Sequence, residues 1–243
     1  MRPTLLAAVM LIAATSALHA TTLYITGFEP PEFTTGTLEG QNGFFYNAAG
    51  IGQVESSVVN SGTQAVEFNA QGTSDQNVSL VPTSFTASPG DETATVQIAA
   101  MFTGDSATLF QVLGLNSSAG FLTQMVYRNG VAYFTSSLGT VFLPVAVDTW
   151  NVYRIELDYT AQTASGYVNG NLIGTRAFYT PSTDLISTGF GINGTPGADT
   201  GYFDDLSVSD SAGASPVPEP SSFILLGSGL LGGLAALRRR FIA

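Results

Sequence analysis

The chain has no cysteine, no lysine and a single histidine, His19. Without cysteine there is neither a disulfide framework nor a thiol nucleophile. Because His19 lies near the end of an apolar N-terminal segment, the rest of the chain lacks a Ser-His-Asp triad and a histidine zinc site. The lack of lysine excludes a Schiff base and a phosphate loop ending in Gly-Lys. Catalysis would have to use carboxylates, tyrosines and arginines.

Positive charge is also scarce. Residues 21–216 contain seventeen acidic residues and three arginines, Arg128, Arg154 and Arg176, which gives a net charge of −14. Such a surface repels phosphate backbones, so nucleic acid is a poor partner and we expect none. The acidity is typical of a solvated coat, and it would also suit divalent cations.

The N-terminus has the pattern of a secretory signal peptide. Arg2 supplies a positive start, Leu5 to Ala14 is an unbroken apolar run, and small residues lead to Ala17 and Ala20. This run is too short to span a membrane as a stable helix. We therefore predict a signal helix over residues 1–20, cleaved after Ala20 or Ala17, with export of the remainder.

The C-terminus has three ordered features. Val217-Pro218-Glu219-Pro220 is an extended tetrapeptide, because proline fixes φ and disfavours helix in the residue before it. Phe223 to Leu237 is uncharged and apolar, and Arg238-Arg239-Arg240 ends it. At about 1.5 Å per residue the run reaches roughly 22 Å, against about 30 Å of hydrocarbon. We predict a marginal transmembrane helix with the arginines in the cytoplasm.

This order of features resembles the PEP-CTERM sorting tail of Gram-negative bacteria. The resemblance covers residues 217–243 and implies recognition and cleavage near Pro-Glu-Pro by an exosortase. It also implies transient retention in the inner membrane, then a place at the cell surface or in a biofilm matrix rich in extracellular polysaccharide. The alternative is a plain C-terminal membrane anchor. In either case, residues 211–216 are predicted to be a linker between the body and the C-terminal segment.

Residues 21–210 predict an all-β domain. About a dozen short runs rich in β-branched and aromatic residues alternate with turn residues at spacings of about 8–12 residues. Asn60-Ser61-Gly62, Asn129-Gly130 and Asn169-Gly170 are the clearest turn sequences. The pattern favours a two-sheet antiparallel β-sandwich or jelly roll.

Residues 150–174 carry a second resemblance. Trp150-x-x-Tyr153-x-Ile155-x-Leu157-Asp158 is followed by Tyr-Val-Asn-Gly and Ile-Gly-Thr, and a late Tyr-Phe-Asp-Asp-Leu-Ser-Val resembles a closing strand. Together they resemble the concanavalin A-like lectin/glucanase sandwich, also called LamG-like. Lectins, glycosidases and adhesion modules share that fold, so it does not settle the function.

The strand from Trp150 to Tyr159 offers the first test for catalysis. Tyr153, Ile155 and Leu157 should share one face, with Arg154, Glu156 and Asp158 on the other. Laminarinase-like members of the fold carry Glu-x-Asp-x-x-Glu, but here Ala161 replaces the final acid. We therefore expect a solvated or salt-bridged sheet face and no enzyme. The alternative is a glycan-cleaving enzyme with another carboxylate pair about 5–9.5 Å apart.

A candidate ligand-binding loop lies at residues 41–46. Phe44, Phe45 and Tyr46 could stack on a sugar ring, with Gln41 and Asn42 supplying hydrogen bonds. The same aromatics could instead plug one end of the sandwich. Trp150, the only tryptophan, could be a further sugar platform or part of the core edge.

A cation site is the other candidate. Glu29 follows the first predicted strand, and Asp204 is placed on the Leu206/Val208 face of the last one. A carboxylate pointing to the apolar side needs a partner. We hypothesise that Glu29 and Asp204 help to hold a structural Ca²⁺; the alternative is a solvent-exposed strand end.

For the protein as a whole, the leading interpretation is a non-enzymatic surface protein that binds exopolysaccharide, with a ligand-free structural protein as a further alternative.

Overall fold

The computed structural model describes residues 21–46, 52–69, 76–88, 92–103, 109–118, 120–136, 139–193 and 200–210. They all lie in one compact unit, Ala20–Gly213. The predicted signal helix (1–20), linker (211–216) and sorting tail with its transmembrane helix (217–243) lie outside the described residues. No helix long and apolar enough to cross a membrane occurs within the described ranges.

The described chain is built of strands. They are β1 (Thr22–Thr26), β2 (Gly36–Thr37), β3 (Phe45–Tyr46), β4 (Gly52–Glu55), β5 (Ala65–Asn69), β6 (Gln76–Thr86), β7 (Thr93–Phe102), β8 (Leu109–Leu115), β9 (Phe121–Arg128), β10 (Val131–Ser136), β11 (Gly139–Pro144), β12 (Asn151–Asp158), β13 (Thr163–Val168), β14 (Asn171–Ala177), β15 (Asp184–Asn193) and β16 (Thr200–Asp210).

Two antiparallel sheets form the sandwich. Sheet A has the order β14-β13-β12-β7-β16-β5-β4-β2, and β1 pairs with β16 outside this path. Sheet B has the order β11-β10-β9-β8-β15-β6-β3. The prediction of an all-β, two-sheet sandwich is confirmed.

Aromatic side chains join the two sheets in the core. Phe68 on β5 and Phe203 on β16 come from sheet A, and Phe190 on β15 comes from sheet B. The ring centroid of Phe190 lies 5.8 Å from Phe68 and 4.9 Å from Phe203. Phe28 and Phe44, from the entry segment, add further rings against Phe190. Each such pair contributes about 0.5–1.5 kcal/mol beyond its buried area.

The predicted turns form as expected. Asn129 and Gly130 have φ of 52° and 69° and join β9 to β10, while Asn169 and Gly170, with 50° and 78°, join β13 to β14. These left-handed conformations suit asparagine and glycine. β4 and β5 pair antiparallel across the Asn60-Ser61-Gly62 segment. The two shortest strands, β2 and β3, were not predicted.

Candidate ligand-binding surface

The outer face of β9, β10 and β11 carries an exposed aromatic and polar surface. Alternation along the strands buries Met125 and Tyr127 of β9, together with Ala132 and Phe134 of β10, in the core. The intervening side chains therefore point away from the core. This outward-facing set, here called the β9–β11 patch, combines the exposed Arg128, Asn129, Thr140 and Phe142 with the half-buried Val126, Tyr133 and Thr135.

Strand register brings the apolar members of the patch together. Tyr133 pairs with Val126 on one side and with Phe142 on the other. The Tyr133 and Phe142 ring centroids lie 6.2 Å apart, tilted by 48°. Phe142 is 64% exposed, which is unusual for so large an apolar side chain. The two rings make an accessible aromatic platform at the edge of sheet B.

Polar groups surround this platform. A surface depression of about 350 Å³ lies here, and it is lined by Val126, Arg128, Asn129, Tyr133, Thr135 and Thr140. The Thr135 hydroxyl accepts a hydrogen bond from the Tyr179 hydroxyl at 2.9 Å, which fixes one side. The Asn129-Gly130 turn borders the other side, with the positive φ values that asparagine and glycine tolerate. A rigid aromatic face with amide, guanidinium and hydroxyl groups around it is suited to a sugar ring.

The charge of the patch differs from that of two other depressions among the described residues. Its lining residues include Arg128 and no acid. A second depression, between the 116–118 turn and the 181–184 loop, includes Asp184, and a third, on β12 and β13, includes Glu156 and Asp158. Within the described ranges, the one ion pair joins Arg154 to Glu156, at 3.0 Å.

The predicted two-faced strand is confirmed in β12. Tyr153, Ile155 and Leu157 are buried, while the alternate residues face outward. On the outward face, Arg154 forms an ion pair with Glu156. The Arg154 guanidinium carbon lies 4.2 Å from the centroid of the Tyr167 ring.

Asp158 has a different role at the end of β12. Its Oδ1 accepts a hydrogen bond from the Ala161 N–H at 2.8 Å and so caps the following turn. Glu156 and Asp158 thus both have structural partners.

The 41–46 loop is divided between the core and the surface. Phe44 is 2% exposed and packs in the aromatic core, so its ring does not reach solvent. The Gln41 side chain donates to the carbonyls of Thr34 and Thr37 at 2.9 and 2.7 Å, and accepts from the Thr34 N–H at 2.8 Å. Asn42 and Phe45 are exposed, and Tyr46 lies in β3. The ligand-binding hypothesis for this loop stays a prediction.

Glu29 and Asp204 hold the loop between β4 and β5. The Glu29 carboxylate accepts hydrogen bonds from the Thr63 N–H at 2.8 Å, the Thr63 hydroxyl at 2.5 Å and the Gln64 N–H at 3.1 Å. Desolvation opposes ionisation of Glu29, but these hydrogen bonds outweigh it and hold its pKa below the usual value. Asp204 Oδ2 accepts from the N–H groups of Asn60 and Ser61, both at 3.0 Å.

A β-bulge corrects the predicted orientation of Asp204. The register with β7 shifts between Asp204 and Ser207, and Asp205 has φ of 51°. Asp204 therefore pairs with Ala99, whereas Val208 pairs with the core residue Val96. Asp204 lies on the face opposite Leu206 and Val208, so the sequence prediction was wrong because a bulge adds one residue and reverses the alternation.

Asp204 is nevertheless fully buried. Burial raises its pKa to about 6, and repulsion from Asp205 adds to this, while the hydrogen bonds from Ser61, Asp205 and Asn60 act in the opposite direction. The third bond is from the Asp205 N–H to Asp204 Oδ1, at 2.7 Å. The three backbone donors thus offset part of the cost of ionising this buried carboxyl group.

These contacts bear on the calcium hypothesis. The oxygens of Glu29 and Asp204 already accept backbone N–H groups, and a bound cation would have to share oxygens toward which those N–H groups point. Within the described ranges, no group of three or more acidic side chains is arranged to hold a metal ion. A calcium site at Glu29 and Asp204 stays a prediction, which unfolding in excess calcium and in excess EDTA can test.

The remaining predicted residues have simple placements. Trp150 is half-buried immediately before β12. The sorting residues Val217 to Pro220 and Arg238 to Arg240 lie outside the described residues. Sequence reasoning missed Arg128, Tyr133 and Phe142 as a ligand surface. The available indication was the hairpin register, in which Asn129-Gly130 places Tyr133 opposite Val126.

Comparison with known proteins identifies the C-terminal segment. Residues 216–240 match the PEP-CTERM protein-sorting motif. This match confirms the predicted sorting tail and marks an exported, exosortase-processed cell-surface protein. No curated protein sequence matches the chain significantly.

Solved structures share the fold of the body at low sequence identity. A sialidase aligns with a TM-score of 0.57 and 11% identity over 78% of this chain, which spans only 18% of the sialidase chain. A carbohydrate esterase from the Shiga toxin-encoding bacteriophage phi24B aligns with a TM-score of 0.57 and 12% identity, over 79% of this chain and 100% of the esterase chain. The cellulose induced protein Cip1 aligns with a TM-score of 0.50 and 12% identity, over 79% of this chain and 100% of the Cip1 chain. These likenesses are consistent with a concanavalin A-like body.

Proposed function

We propose that this exported chain, a β-sandwich followed by a PEP-CTERM sorting tail, is a non-catalytic matrix protein that binds extracellular polysaccharide of a Gram-negative bacterium through the β9–β11 patch. The observation that carries the proposal is the Tyr133–Phe142 platform, which is exposed and flanked by Arg128, Asn129 and Thr135. A lectin-like fold and a cell-surface address agree with it.

The physical basis is stacking combined with a few directed hydrogen bonds. The C–H groups of a sugar ring pack on an aromatic face, and its hydroxyls exchange hydrogen bonds with amides, guanidinium groups and threonine hydroxyls. The patch is shallow, so each site should bind weakly. Many copies on a cell surface would bind one polymer together, and avidity would supply the retention.

The engagement of Glu156 and Asp158 supports a binding protein over a glycan-cleaving enzyme. Retaining hydrolysis needs one carboxylate as the nucleophile and a second, protonated carboxyl group as the acid. Glu156 is paired with Arg154, and Asp158 caps a turn. The depression that they line is bordered by threonine and serine hydroxyls and has no aromatic ring.

Affinity electrophoresis of the exported, processed protein in gels containing different bacterial polysaccharides tests the proposal. Tyr133→Ala and Phe142→Ala should each weaken retardation by about ten-fold, since each removes one face of the platform, worth about 1–1.5 kcal/mol. Leu172→Ala is the matched control, because Leu172 is an exposed apolar residue of β14 in sheet A.

Unchanged retardation of both patch variants would reject this site. If no polysaccharide in the panel retards the wild-type protein, the chain is a ligand-free structural protein and the proposed function fails. Thermal unfolding of all three variants should match wild type, because the substituted side chains lie outside the core.

A further inference from the structure

We propose, resting on the function above, that the polysaccharide held by the β9–β11 patch is acidic and carries a carboxylate on its sugar units, as a uronic acid polymer does. Arg128 is the residue that would select it. Its side chain is exposed at the end of β9 and lines the same depression as Asn129 and Tyr133.

The setting of Arg128 distinguishes it from Arg154. Arg154 lies on sheet A, where it pairs with Glu156 at 3.0 Å and covers the Tyr167 ring. No carboxylate lines the depression around Arg128, and the described part of the chain provides no ion pair for its guanidinium. Residues 21–216 contain seventeen acidic residues, so a cationic depression without any of them is unusual for this surface.

The charge of the whole body strengthens the assignment. At −14, the body repels a polyanion at long range, so a general electrostatic attraction to an acidic polymer is excluded. At physiological salt the Debye length is about 8 Å, which screens the distant acids but not a contact pair. Recognition of an acidic sugar must therefore be local, and Arg128 is the cation that the patch offers.

The geometry suits a carboxylate beside a stacked ring. A guanidinium presents N–H donors in a planar fork that binds both oxygens of a carboxylate. Asn129 follows Arg128 directly and is fixed in the left-handed turn, so its amide faces the same depression. A sugar ring on Tyr133 would have its carboxylate at Arg128 and its hydroxyls near Asn129 and Thr135.

A matched pair of polymers tests the inference. Polygalacturonate carries a free carboxylate on each unit, and its fully methyl-esterified form has the same backbone without the charge. The exported, processed protein should be retarded at least ten-fold more strongly by the acidic form in affinity electrophoresis at physiological salt. Arg128→Gln should abolish that preference, so that both forms of the polymer bind equally weakly.

Two further variants separate charge from structure. Arg128→Lys keeps the charge but not the planar fork, so it should retain only part of the preference. Arg154→Gln removes an arginine on the other sheet and should behave as wild type, and equal melting temperatures exclude misfolding as the cause of any loss.

The failures of the two proposals differ. Equal binding of both polymers, abolished by Tyr133→Ala, overturns the acidic ligand and leaves polysaccharide binding in place. A preference that survives Arg128→Gln also overturns the inference. If neither polymer nor any other polysaccharide binds, the proposed function fails as well.

Discussion

Replacing Asp204 with asparagine should change the pH dependence of stability. The Asp204 side chain is fully buried under the 60–61 loop, and its carboxylate accepts three backbone N–H groups. Asparagine keeps one acceptor oxygen for Asn60 and Ser61, but it turns an NH₂ group toward the Asp205 N–H. The variant therefore loses a hydrogen bond at every pH and never carries the buried charge.

The size of the pH effect follows from the raised pKa. Burial moves the pKa of Asp204 from 3.8 to about 6. Because the folded pKa lies above the unfolded one, the folded state binds the proton more tightly. The stabilisation of the folded state by this proton is therefore fully present only at pH values below the unfolded pKa of 3.8. That stability is lost as the pH rises through about 6. At 1.36 kcal/mol per pH unit, the loss amounts to about 3 kcal/mol.

Urea unfolding followed by Trp150 fluorescence measures this. Between pH 4 and pH 7 the stability of wild type should fall by about 2.4 kcal/mol relative to Asp204→Asn, which is most of the full effect. Ser61→Ala is the control, because it removes the hydroxyl that donates to Asp205 and leaves all three backbone donors to Asp204 in place. Its difference from wild type should lack this change. A wild-type minus Asp204→Asn difference that stays constant with pH would refute the reasoning.

The same measurement decides the calcium hypothesis. A Ca²⁺ ion bound by Glu29 and Asp204 would favour the ionised carboxylate, so in excess calcium the sign of the pH effect should reverse and the melting temperature should rise. Identical curves in excess calcium and in excess EDTA would remove the hypothesis.

Two other predictions concern the core and the tail. Gly166→Ala places a Cβ 2.7 Å from the buried ring of Phe134 and should cost about 1–3 kcal/mol in urea unfolding; Gly114→Ala, whose nearest contact is Leu185 at 3.2 Å, should cost less. If the two cost the same, the packing argument is wrong. Intact-mass measurement of surface protein should show a C-terminus near Glu219, and cells lacking the exosortase should retain Ala243; Ala243 in the mature wild-type protein would contradict processing.

The fold was predictable because its signals are local. Period-two alternation in β12 and the Asn-Gly turns each depend on residues close in sequence, and both are confirmed. Short strands such as β3 exist only because a distant partner is present: Phe45 pairs with Leu80 of β6. Such pairing leaves no pattern of its own in two residues, so the 41–46 segment was interpreted as a loop.

The orientation of Asp204 illustrates a second limit. Alternation places it correctly only if the strand is regular, and one inserted residue reverses every later assignment. The Asp204-Asp205 bulge is stabilised by loop residues more than a hundred positions away, through Asn60 and Ser61. The sequence shows two adjacent acids there but not the loop that covers them.

The ligand surface was missed for a related reason. Tyr133 and Phe142 lie on different strands, and each alone has the sequence pattern of an ordinary strand residue. They become a platform through the β10–β11 register, and Arg128 joins them through the β9–β10 hairpin. By contrast, Phe44-Phe45-Tyr46 is conspicuous in the sequence because its aromatics are contiguous, yet Phe44 is needed for the core.

The pairing of the first and last strands bears on the predicted cleavage after Ala20 or Ala17. Thr22 of β1 lies opposite Ser209 of β16. The Thr21 N–H donates to Asp210 Oδ1 at 2.6 Å, and the Asp210 N–H donates to the Thr21 carbonyl at 3.0 Å.

Cleavage after Ala20 would replace the Thr21 N–H by the α-ammonium group of Thr21, directly beside the Asp210 carboxylate. A cut there removes no strand residue and adds a charge-assisted contact at the edge of the body. A cut after Ala17 would leave three residues ahead of Thr21 and move the ammonium away from Asp210. The strand pair therefore favours Ala20 over Ala17 as the predicted cleavage site.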